Sequence, residues 1–240
     1  MNIDRQGRIV KCFAIDDIWG SSSHALEKNG NLLLINDERV ERISPDGFKS
    51  TIIAPEWSIL SICTSGFNGH IILGLYILID KGSKTKLARY NNKGTLLSEI
   101  EYYQNKRLYV SPLYLSENIN MSICTADIDT CLVRAVDKSG ELLFTYDGQP
   151  KQVDFFPTGI CNDIFGHILV CNRHKSNPSV HLLDINGKLK SIILNQSDGI
   201  TDPWGICVDT EGRIYLGQHD CSFIKVYEYL EDIVDSNVLV

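Results

Sequence analysis

The chain has 240 residues, 43% of them hydrophobic and 22% charged, which is enough to bury a substantial core and excludes a disordered segment. Its net charge of −7 is a poor balance for a protein that grips phosphate backbones. No apolar run approaches the roughly 20 residues that span a bilayer, and MNIDRQGRIVK at the start lacks the apolar stretch of a signal peptide, so a cytoplasmic protein without a membrane partner is expected.

In chain order, the first predicted element is a hairpin over NIDRQGRIVKCFAI, turning at DRQG (4–7). Four more turn tetrads ending in Gly follow at SPDG (44–47), NNKG (91–94), DKSG (137–140) and DING (184–187), spaced by 40, 47, 46 and 47 residues. A second set of turns lies out of phase with these: EKNG (27–30), GFNG (66–69), SENIN (116–120), DIFG (163–166) and DTEG (209–212). Short apolar or alternating runs stand between them, among them LLLIN, HIILGLYIL, MSICTA, HILVCN and RIYLGQ. Ile, Leu, Val and Tyr suit short strands, and Asp, Asn and Gly supply the turn geometry that joins them. The repetition is nearly verbatim in two places, PTGICNDIFGHILVC (157–171) and PWGICVDTEGRIYLG (203–217), which are 46 residues apart.

About four strands per period of 40–50 residues, with no helical periodicity between them, predict an all-β propeller of four-stranded antiparallel blades. The predicted blades are 16–53, 56–100, 107–146, 155–194 and 200–230, in a single domain over 1–240. The last blade lacks its outer strand, and residues 1–15 match the outer hairpin LLDINGKLKSIIL of another blade. Closure of a five-bladed ring by that N-terminal strand removes an exposed sheet edge. The alternative is a six-bladed ring whose first blade has lost its inner strands.

Eight cysteines recur at repeat positions: Cys63, Cys161 and Cys207 in one place, Cys124 and Cys171 in another, with Cys12, Cys131 and Cys221 besides. Recurrence at core positions predicts buried, reduced thiols rather than disulfides. No CxxC pair supports structural zinc.

The segments PTGICNDIFGHILVCN and DPWGICVDTEGRIYLGQ, followed by IKVYEYL, resemble NHL repeats. The chain as a whole is similar to the C-terminal NHL propellers of TRIM-type E3 ubiquitin ligases, although the letters NHL do not occur and NRHKSNPSV (172–180) departs from the family pattern. The Cys/His clusters of RING and B-box domains are also missing. The resemblance implies a substrate-recognition module without ligase chemistry of its own.

Nucleophile elbows and phosphate loops are absent. A metal-dependent propeller hydrolase or lyase would draw on Asp127, Asp129, Asp163 and Asp209, but Asp163 and Asp209 fall in turns that explain them. His70 and His167 follow a turn Gly and belong to turns, and His174 and His181 fit no metal spacing and read as a surface loop. No cofactor and no enzyme activity are expected. Trp19, Trp57 and Trp204 stand before or at the first strand of a blade, either wedged between blades or forming an aromatic ring on the binding face. Loops expected on that face carry Asp37-Glu38-Arg39, Arg173-His174-Lys175 and Gln218-His219-Asp220. A protein partner at this face is the main reading. RNA binding through the basic cluster Lys81, Lys84, Lys86 and Arg89 is an alternative.

Overall fold

Strands and tight turns alternate along the described chain, residues 2–3, 9–11, 23–148 and 155–229 of a computed structural model. Four meanders of four antiparallel strands and one of three make five propeller blades. Blade I holds β3 (His24–Leu26), β4 (Leu32–Asn36), β5 (Arg39–Ile43) and β6 (Lys49–Ile53). Blade II holds β7 (Ser58–Thr64), β8 (Ile71–Ile79), β9 (Gly82–Tyr90) and β10 (Leu96–Ile100). A small hairpin, β11 (Tyr102–Tyr103) and β12 (Lys106–Arg107), leads into blade III: β13 (Pro112–Glu117), β14 (Ile123–Asp127), β15 (Leu132–Val136) and β16 (Leu142–Tyr146). Blade IV is β17 (Pro157–Asn162), β18 (Ile168–Asn172), β19 (Ser179–Leu183) and β20 (Leu189–Leu194); blade V is β21 (Pro203–Val208), β22 (Arg213–Gln218) and β23 (Ile224–Glu228). Near the start, β1 (Asn2–Ile3) pairs with β2 (Ile9–Lys11) as a separate two-stranded sheet, so the described part of the segment expected to complete blade V pairs with itself. A 3-10 turn at Gln196–Asp198 is the one helical element among the described residues. No helix there is long and apolar enough to cross a membrane.

The recurrent Asp/Asn-x-x-Gly turns share one hydrogen-bonding scheme. The first side chain accepts from two backbone N–H groups, as Asp163 does from Phe165 and His167, Asp209 from Glu211 and Arg213, and Asp184 from Asn186 and Lys188. The glycine takes a left-handed conformation, φ 84° at Gly166 and 80° at Gly212. Blade III breaks the pattern: in its turn at 118–121 the left-handed position is Met121, φ 62°.

Each pair of successive blades buries an apolar cluster between its sheets. Leu33, Val40, Ile62 and Leu73 fill the space between blades I and II, and Ile72, Leu87, Leu115 and Ile123 that between II and III. Ala126, Val133, Val170 and Leu183 join III to IV, and Leu169, Val180, Ile214 and Leu216 join IV to V. Among the described residues no such cluster joins blade V to blade I. The innermost strands of blades IV and V approach so closely that a Cβ on Gly159 would lie 2.6 Å from the Trp204 carbonyl oxygen and 2.9 Å from the Ile206 nitrogen.

A second repeated device stands at the last residue of the second strand. Asp127 accepts from the N–H groups of Val110 and Ser111 (2.8 and 3.0 Å), Asn172 from Phe156 (2.9 Å), and Gln218 from Thr201 (2.7 Å). Each pins the loop that enters its own blade, which satisfies backbone donors away from any ladder. Asp127, read from sequence as a candidate metal ligand, is therefore a loop pin.

The described cysteines are all free. Cys63, Cys124 and Cys171 are buried, whereas Cys161 is half-buried and Cys207 exposed. The expectation that Cys207 shares a core environment with Cys63 fails because, among the described residues, no further sheet covers blade V. His181 is a second correction. It lies on β19, fully buried, with Tyr146 Oη 2.7 Å from Nδ1 and Ser179 Oγ 3.0 Å from Nε2. Desolvation lowers its pKa to about 4.

Candidate functional site

The loops entering each first strand and those leaving each second strand emerge at the same end of the ring. Between blades IV and V they draw together Arg173, His174, Lys175, Trp204 and His219, residues far apart in sequence. Backbone bonds set the frame: Arg173 N–H donates to Phe156 O (2.8 Å) and His219 N–H to Asp202 O (2.9 Å), while the Asn172 and Gln218 pins hold the intervening loops.

Asp202 is the hub, and the sequence reading passed it over. Arg173 forks onto its carboxylate through Nε and Nη2, the latter 3.1 Å from Oδ2. His219 Nδ1 lies 3.7 Å from the same Oδ2. The Arg173 guanidinium stacks over the Trp204 ring at 4.2 Å, and the His219 ring centroid is 5.4 Å from that of Trp204. A cavity of 680 Å³ opens beside them, lined by Phe156, Arg173, His174, Lys175, Thr201 and Asp202. His174 Nδ1 lies 3.0 Å from Ser176 Oγ on its rim. The His219 side chain is 65% exposed. An exposed imidazole near a carboxylate and a held guanidinium is suited to proton transfer at an oxygen-bearing substrate.

The other candidates lie elsewhere. Trp19 falls outside the described residues. Trp57 is half-buried, packs against the cluster between blades I and II, and carries Lys86 Nζ over its ring at 4.0 Å. Arg39 is exposed at the tip of the β4–β5 hairpin. The proposed basic patch does not form as a free surface. Lys86 pairs with Glu99 (2.5 Å) and Arg89 with Glu117 (2.6 Å), Lys81 is exposed at the β8–β9 tip and Lys84 half-buried. Two of the four cations are thus paired within the sheet, which lowers the charge the cluster offers to a phosphate backbone.

A metal in the central channel was the other candidate centre. The channel is a 530 Å³ cavity bordered by all five inner strands, with Leu26, Ile62, Cys63, Leu115, Ile160 and Ile206 among its walls and no carboxylate. Asp163 is bonded to His167 and Tyr229, and Asp209 to Arg213 and Tyr215, while Asp129 is exposed. No group of three or more metal-capable side chains exists among the described residues. The residues present do not fit a hard cation, which needs several convergent oxygens.

No protein-family model matches the chain, and no curated protein sequence does. Similar solved structures include a protein of unknown function from Bacteroides caccae (TM-score 0.66, 18% identity, 88% of this chain and 75% of that one). A catalytically inactive virginiamycin B lyase from Staphylococcus aureus, crystallised with quinupristin, is similar over 95% of this chain and 75% of its own (TM-score 0.63, 13% identity). A gluconolactonase from Xanthomonas campestris is similar over 81% and 68% (TM-score 0.60, 13% identity).

These likenesses carry the propeller fold and nothing specific to TRIM-type ligases. They also overturn the expectation that the chain is not an enzyme. That expectation rested on missing motifs of other folds, and propellers similar to this one include a lyase and a lactonase. Fold alone does not assign their reactions to this chain.

Proposed function

We propose that the chain is a catalytic propeller of the hydrolase or lyase class, acting without a channel metal on a small ester or lactone at the rim between blades IV and V. The observation that carries this reading is the convergence of Arg173 and His219 on Asp202, with Trp204 against both of them, beside the 680 Å³ cavity. In it, His219 Nε2 moves the proton, Asp202 orients the imidazole, and Arg173 and Lys175 face the oxygens of the ester. Trp204 supplies an apolar platform that also holds the guanidinium in place. Lactonase and lyase chemistry in propellers of similar fold supports the class.

The test is turnover of a panel containing gluconolactone and a streptogramin B, followed by His219→Ala and Asp202→Asn on any substrate found. A loss of 100-fold or more in kcat/KM with an unchanged melting temperature is expected from losing a positioned acid–base group. Turnover that His219→Ala leaves intact would move the reaction elsewhere.

Protein recognition at the same rim is a second reading, favoured by Trp204 under a stacked Arg173, the residue types that dominate interface hot spots. A partner captured by the wild type and lost with Trp204→Ala, in a protein inert toward the whole panel, would select it.

A further inference from the structure

A second cavity lies at the end of the ring opposite the rim site, where the turns between first and second strands emerge. It holds 250 Å³ and is bordered by those turns in blades II to V. Glu117, Asn162, Asp163 and Asp209 line it together with the exposed Phe67, Ile119 and Ile164, and among the described residues no lysine, arginine or histidine does. Glu117 and Asn162 are the last residues of β13 and β17, and Leu26, Thr64 and Val208 hold that place in blades I, II and V. A blade thus accepts leucine or valine there, so strand formation does not call for a carboxylate or an amide. The Glu117 side chain is 1% exposed, with Oε1 2.6 Å from Arg89 Nη2, yet among the described residues neither of its oxygens accepts a well-formed hydrogen bond. Asn162 donates through Nδ2 to Ser116 Oγ (2.6 Å), which leaves its buried Oδ1 without a partner. Buried acceptors are normally satisfied. Asp163 and Asp209, in contrast, have both oxygens engaged and contribute only negative potential.

We propose that this cavity binds an organic cation, an ammonium or guanidinium group carried on a short apolar stem. Arg89 meets Oε1 of Glu117, which leaves Oε2 and Asn162 Oδ1 as the open acceptors. With acceptors open and the lining charge negative, the complementary group is one that donates, does not accept and is positive. Hydrogen bonds from such a group to a carboxylate are strengthened by charge on both sides. Phe67, Ile119 and Ile164 give a hydrocarbon stem apolar contact, and the aromatic ring of Phe67 also favours a cation. The carboxylates repel an anion, and a hard metal ion finds too few open oxygens. The site shares no residue with the Asp202 cluster and does not depend on the reaction at the rim.

Calorimetric titration of the full chain with agmatine, pentylamine and the neutral 1-pentanol tests this. Both cations are expected to bind one-to-one, and 1-pentanol is expected not to bind. Glu117→Gln keeps the size of the side chain and removes its charge, and should weaken cation binding about 10-fold or more. Should loss of the Arg89 pair unfold that variant, Ile164→Lys reads the same site from its exposed lip. A lysine there repels the ligand, again with a loss of about 10-fold. A capped tripeptide with a central arginine, titrated beside agmatine, separates the two sources of such a group. Tighter binding of the peptide assigns the cation to a partner chain, and tighter binding of agmatine to a free amine. Equal binding of pentylamine and 1-pentanol, no binding of either cation, or an affinity unchanged in a folded Glu117→Gln or in Ile164→Lys would overturn the proposal.

Discussion

Blades IV and V are written with nearly the same words, PTGICNDIFGHILVC and PWGICVDTEGRIYLG, yet they do not occupy the same environment. In blade IV the second and third strands are buried throughout; in blade V the second alternates between half-buried and buried and the third between exposed and half-buried. Position in the ring makes the difference. Blade IV is covered on both faces, by III and by V, whereas blade V has a described neighbour on one face only. Equal local sequence therefore produces equal strands and turns, but unequal burial, and mutational sensitivity should follow burial.

The paired glycines offer the sharpest way to break this comparison. Gly159 is pressed against the backbone of Trp204–Ile206, while a Cβ on Gly205 would meet nothing within 4 Å. Gly159→Ala is expected to cost about 3 kcal/mol by forcing the inner strands apart, at the upper end for overpacking. For a chain of this length that lowers Tm by roughly 6–12 °C. Gly205→Ala should leave Tm within about 2 °C, and equal effects would refute the burial argument.

His181 and Lys225 share the next position, each opposite an equivalent residue of the second strand. The buried His181 is held neutral with a pKa of about 4, below its unfolded value near 6.5. The unfolded chain therefore binds the extra proton first, and stability falls as pH drops from 6.5 toward 4, by about 2–3 kcal/mol at pH 4.5. Chemical denaturation at pH 7 and 4.5 should show that loss shrinking by this amount in His181→Gln. An unchanged difference would mean that the imidazole is already solvated.

Third comes the cross-blade pair Val180 and Ile224. Val180→Ala should cost about 2 kcal/mol, from two buried methyls and the cavity left behind. Ile224→Ala should cost under about 0.5 kcal/mol, a ranking that denaturant midpoints measure directly. A larger cost at Ile224 would show that its flank is covered in solution.

Thiol labelling extends the contrast: Cys207 should react well before Cys124 and Cys171. Both of those are buried, and desolvation holds the Cys124 thiol up to about 12. The smallest expected effect is at Met121, whose φ of 62° suits glycine. Met121→Gly should stabilise by about 0.5–1 kcal/mol, strain relief being partly offset by the entropy of the unfolded glycine.

Much of the fold was legible because each blade states it locally. The Asp/Asn-x-x-Gly turns locate hairpins through side-chain bonds to N–H groups two and four residues on, and no distant residue is needed. The site was legible only in pieces. Arg173, His174, Lys175, Trp204 and His219 drew notice as loop-tip and strand-entry residues, but Asp202, on which Arg173 and His219 converge, sits inconspicuously in TDPWG. Asp127, Asn172 and Gln218 were misjudged or missed for the opposite reason. Their partners are backbone groups 16 or 17 residues away, and no residue type announces a backbone partner.

What the sequence determined by itself is the unit: short strands, their order within a blade, the two sets of turns and the period of about 46 residues. All of these follow from contacts between near neighbours in the chain. Which faces are covered, which histidine is neutral, which glycine cannot gain a methyl and which loops meet around Asp202 were decided only when the blades assembled into a ring. Burial and convergence depend on residues brought together across that ring, and their distances are not encoded in any one repeat.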